Sequence, residues 1–141
     1  MSNLSDVKGG IKTVVEAAVT ALRVYTYPGD GALEYPCLVI EPTGELEYTT
    51  TIDAKTLETT LSATLYIQHG QSDKGWEQVD EYRSFGSGSI KAAIETDRTL
   101  NGTADDSFVM SSGDAIRGRD DRDQFWVFTC EFNILVIKGG L

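Results

Sequence analysis

Among 141 residues there is one histidine, two cysteines and three prolines, and lysine plus arginine number only 12 against 22 acids. Each scarcity excludes something. Catalysis through a Ser-His-Asp or Cys-His arrangement would have to run through His69, which sits beside Gly70 at a strand end with no nucleophile elbow near it. A surface or turn histidine is the plainer reading, and the chain is expected not to be an enzyme. Cys37 and Cys130 lie in apolar segments without CxxC spacing. They read as reduced thiols packed like small hydrophobes, and with one histidine they make a poor zinc site. No apolar run approaches the roughly 20 residues that span a bilayer. The opening residues MSNLSD lack both a basic region and a hydrophobic stretch. The expectation is therefore a protein made and folded in a cytoplasm, with no membrane partner.

The net charge of −10 bears on partners. A free-standing nucleic-acid binder needs a basic excess, because phosphate neutralisation drives its affinity. Acidic walls past which DNA slides without sticking remain compatible with this charge.

What is present is organised as alternating elements in one domain over residues 1–141, without internal repeats. Leu4–Leu22 carries Leu4, Val7, Ile11, Val14, Val15, Ala18 and Leu22 at helical spacing, which predicts an amphipathic helix. Gly9-Gly10 inside it marks either a close packing contact or the helix's true beginning. Arg23–Tyr27 is a short strand candidate. Pro36–Glu41 holds the apolar run Cys-Leu-Val-Ile, suited to a strand buried on both faces. Pro42-Thr43-Gly44 turns into a polar strand, Glu45–Thr51, so that the two form a hairpin. Leu57–His69 alternates cleanly, with Leu57, Thr59, Leu61, Ala63, Leu65 and Ile67 on one face. A helix with Trp76, Val79 and Tyr82 on a shared face follows, then a break at Phe85-Gly-Ser-Gly-Ser, a short helix Ile90–Thr96 and a strand near Ser107–Ser112. Gly113–Gln124 reads as a charged loop, mobile until it docks. In the final strand, Phe125–Ile137, one face carries Trp126, Phe128, Cys130, Phe132, Ile134 and Val136. The fold class is α+β: a mixed or antiparallel sheet with long strands, packed against an N-terminal helix and one or two mid-chain helices.

The two long strands carry the main structural argument. Each, at about 13 residues, extends roughly 43 Å. A compact domain of this length is only about 37 Å across. Strands that overhang leave backbone edges for a partner, most simply a second copy.

Signals of specific chemistry are weak. Gly86-Ser87-Gly88-Ser89 before a helix resembles an anion nest, but a P-loop needs a GK[ST] ending and the continuation here is Ile-Lys-Ala. A hinge plus helix cap is the plainer reading. The segment 114–123 holds four aspartates and three arginines. Asp120, Asp121 and Asp123 have neither the spacing nor the glycine of an EF-hand loop. This segment is either a solvated connector or a contact loop whose alternating charges match a neighbouring protein. On the second reading the candidate interface is Arg117, Arg119, Asp120, Asp121, Arg122 and Asp123, with Tyr48 and Tyr66 from the strands. No metal, cofactor or catalytic residue is expected.

Five segments together suggest a family: RVYTYP at 23–28, YPCLVIEP at 35–42, YRSFGSGSIKAAIE at 82–95, DRTLNGTADD at 97–106 and FWVFTCEF at 125–132. On these the chain resembles the tail terminator proteins of long-tailed bacteriophages, also called tail completion or U-like minor tail proteins. The resemblance implies a homo-oligomeric ring, usually of six subunits, that caps the tail tube, stops its growth and presents a surface for the head. It implies tail tube protein and a head–tail connector as partners, and DNA passing through the channel without specific binding. It also implies residence at the head-proximal end of the virion tail, after assembly in the host cytoplasm. A head-side connector or stopper of the neck is the alternative in the same class. A small ligand-binding or hydrolase domain is the alternative outside it.

Overall fold

The computed structural model describes residues 4–28, 34–44, 57–68, 72–119 and 126–138. Among these residues the architecture is α+β, with three helices on one face of a six-stranded mixed sheet. The predicted polar strand 45–51, and with it the predicted hairpin, lies outside the described residues, as does His69.

Helix α1 spans Leu4–Ala18 and buries Val7, Ile11 and Val15 in the core shared with the sheet, with Val14 buried beside them. It stops short of the predicted Leu22 because the chain must turn into β1 (Arg23–Tyr25). The amide of Leu22 reaches only to the carbonyl of Val19, at 3.0 Å, and the Glu16 carboxylate accepts the Val24 amide at 2.9 Å. A Cβ on Gly10 would lie 2.2 Å from the Leu100 carbonyl oxygen, so this glycine exists for close packing, not as a helix start.

Strand β1 pairs in parallel with β2 (Cys37–Ile40), and β2 pairs antiparallel with β3 (Leu57–Gln68). All four residues of β2 are buried, as its unbroken apolar run predicts. Leu38 and Ile40 join the core under the helices, while Cys37 and Val39 lie on the other face beneath Tyr25, Tyr35 and Tyr66. Helices α2 (Ser72–Arg83) and α3 (Ile90–Thr96) follow, with Val79, Tyr82, Ile90, Ala93 and Ile94 facing the sheet. Ser89 caps α3 by accepting the Ala92 amide at 3.1 Å. Beyond α3, the Asp97 carboxylate accepts the amides of Thr99 and Asn101. It thereby holds a turn in which Leu100, Asn101 and Gly102 all have positive φ.

Strand β4 (Asp106–Ser112), strand β5 (Ile116–Arg119) and strand β6 (Trp126–Lys138) complete the sheet, whose order is β1-β2-β3-β6-β4. The predicted charged loop 113–124 is thus partly a strand. Four residues with a single large apolar side chain show no readable period. They pair because β6 presents open backbone groups at Trp126–Thr129.

The two long strands pair with each other from Leu57↔Lys138 to Gln68↔Val127. The opposite edge of β6 is taken by β4 along Phe132–Ile137 and by β5 along Trp126–Thr129. The overhang expected of β6 is therefore closed within the chain. Strand β3 meets β2 only at Ala63–Tyr66. Among the described residues its outer edge at 57–61 has no strand partner.

Candidate interface at the β5 edge

Among the described residues, no three His, Cys, Asp or Glu side chains gather as a metal site. Cys130 faces the helix-side core and Cys37 the other side of the sheet, and both are buried. Burial pushes the Cys130 thiol up, and its sulfur lies 3.3 Å from the Gly113 carbonyl oxygen. One polar cavity of about 260 Å³ lies between α1 and the start of β1. Its charged groups are engaged: Arg23 pairs with Glu34 at 2.8 Å, and Glu16 accepts the Val24 amide.

The sheet face away from the helices is different in kind. Alternation along β6 puts Thr129, Glu131 and Asn133 on it, while Phe128, Cys130 and Phe132 go to the core. Asn133 ties three strands together: Ser62 donates to its carbonyl oxygen at 3.4 Å, and its amide donates to Ser111 at 3.0 Å. A groove of about 360 Å³ runs beside this ladder, walled by Asp114 and Ile116 and floored by Thr64, Thr129 and Glu131. Ile116 is 61% exposed there.

Directly opposed residues in an antiparallel pair share a face. Arg117 lies opposite buried Phe128, so it projects on the helix side, where it is exposed. Arg119 lies opposite Trp126 in register. On the same side Arg83, near the end of α2, donates to Ser112 at 3.4 Å. Two residues further on, Phe85 is 89% exposed in the Gly-Ser connector.

The candidate interface thus divides. Arg117 and Arg119 are brought to one sheet edge by β5. Asp120, Asp121, Arg122, Asp123 and Tyr48 lie outside the described residues. Tyr66 is half-buried and covers Cys37 and Val39, so it packs the far face. Sequence reasoning missed the groove and Phe85. The groove depends on the 113–115 connector running from β4 to β5 along one edge of β6, which no local pattern records. Phe85 did carry a signal: a large aromatic between Ser84 and Gly86 in a segment with no apolar period. Protein-family models give no match to this chain, and no curated protein matches it.

Proposed function

We propose that this chain is a structural ring subunit, a tail terminator that caps the tail tube of a long-tailed phage and offers the opposite ring face to the head. One observation carries the reading. Large apolar side chains, Phe85 at 89% and Ile116 at 61% exposure, stand on two sides of the domain. Aromatic side chains are enriched where proteins meet, so an exposed phenylalanine suits a protein that works by contact. Capping follows if one ring face complements the last ring of tube protein while the other cannot template a further one. The net charge of −10 suits a channel that DNA must cross without adhering. Partners on this reading are copies of itself, usually six to a ring, the tube protein and a head–tail connector. Its place is the head-proximal end of the virion tail after assembly in the host cytoplasm.

The test is light scattering on the chain at high concentration, alone and with tube protein, with electron micrographs of the product. Rings that bind tube ends support the reading, and a strict monomer under both conditions overturns it. Capture by portal or adaptor protein instead of tube would move the chain to the neck, as a connector or stopper.

A further inference from the structure

The β5 edge carries opposite charges on its two sides. On the open face, Asp114 and Glu131 are exposed beside the groove that Ile116 walls. On the helix side, Arg117 is exposed and Arg83 lies next to the exposed ring of Phe85. Among the described residues, none of these four charged groups forms an ion pair. Helix α2 also presents Glu77, Asp80 and Glu81 to solvent, and none of them pairs with either arginine.

Resting on the ring reading above, we infer that neighbouring copies join head to tail at this edge. The helix-side rim of one copy, Arg83, Phe85 and Arg117, docks into the open-face groove of the next, between Asp114, Ile116 and Glu131. The phenyl ring of Phe85 fills the groove against Ile116, and the arginines meet the carboxylates at its margin. The two surfaces differ, so the contact is heterologous: each copy uses one and offers the other, and the series closes as a ring. Charge matching at an exposed margin also makes association weaken as salt rises.

The experiment is a charge swap read by light scattering, with thermal melts as the check on folding. Arg83→Glu/Arg117→Glu in one chain and Asp114→Arg/Glu131→Arg in another should each weaken self-association by roughly tenfold or more. Mixed one to one, they should assemble again, since the reversed rim of one fits the reversed groove of the other. A second pair of variants changes only exposed apolar positions. Phe85→Cys mixed with Ile116→Cys should cross-link into dimers on oxidation, while neither does so alone. If the wild type forms rings and the charge variants keep them, or no such cross-link forms, this inference falls and the ring reading stands. If the wild type stays monomeric at high concentration and with tube protein, both fall.

Discussion

Arg98 grips Asp106 through two parallel hydrogen bonds, Nε to Oδ1 at 2.6 Å and Nη2 to Oδ2 at 2.8 Å. The pair ties the turn after α3 to the first residue of β4, and buried Ser107 completes the tie by donating to the Arg98 carbonyl at 2.9 Å. The hydrogen bond from Arg98 holds the Asp106 carboxyl below its ordinary range. The Thr99 hydroxyl, helped by the Asn101 amide, does the same for Asp97. A carboxyl with a lowered folded-state pKa stabilises above its unfolded value, and that contribution is lost as pH falls through the folded one. Asp106→Asn is therefore expected to melt below the wild type at neutral pH. The gap should close as pH drops under about 4. Thermal melts across pH 2–7 check this, and a gap that persists at the acid end refutes the linkage.

Adjacent glycines in α1 should respond with opposite signs. A methyl group on Gly9 would have nothing within 4 Å, whereas on Gly10 it would meet Leu100 O at 2.2 Å and Thr103 Oγ1 at 2.5 Å. Gly9→Ala should stabilise by up to about 1 kcal/mol through helix propensity. Gly10→Ala should destabilise by about 1–3 kcal/mol, because α1 must move off the 97–103 turn. Urea titrations of both variants decide it.

Ser89 is fully buried and caps α3 through Ala92. Ser89→Ala should cost about 1 kcal/mol, and Ser89→Asp should recover part of it. An unchanged denaturation midpoint for the alanine variant would show that the cap contributes nothing.

Strand β5 changes the expectation for 113–124. Amides of β5 that bond to β6 should exchange slowly with deuterium in the isolated chain, as those of β4 do. Uniformly fast exchange across 116–119 would place that segment back among the loops.

Both thiols should resist modification while the chain is folded. Cys37 and Cys130 are buried, and burial raises the Cys130 pKa, which lowers its thiolate fraction at pH 8. Neither should react with a thiol reagent until denaturant is added; fast native labelling of Cys130 would contradict its place under the helices.

The elements written in a long period were legible from sequence. The alternation of 57–68 and 126–138, the helical stripe from Val7 to Val15 and the all-apolar β2 each follow from which atoms must leave water. The Ser89 cap was legible as a hinge plus cap for the same local reason. Strand β5 was not, because Ile116-Arg-Gly-Arg becomes a strand only when β6 supplies partners. The choice between the two readings of Gly9-Gly10 was also unreadable. It is made by Leu100, ninety residues away in the chain. Of the candidate interface, the charges of Arg117 and Arg119 could be read, but the side of the sheet taken by Arg117 could not, since register with Phe128 decides it.

Strand β6 bonds to β3 along one edge and to β4 and β5 along the other. During synthesis it leaves the ribosome after all three of those partners. Until then β3, β4 and β5 wait with their inner edges unsatisfied, and the buried faces of α1 and α2 have no complete floor to rest on. Folding of this domain is thus held back until residues 126–138 have been made, and the nascent chain is at its most adhesive just before they arrive.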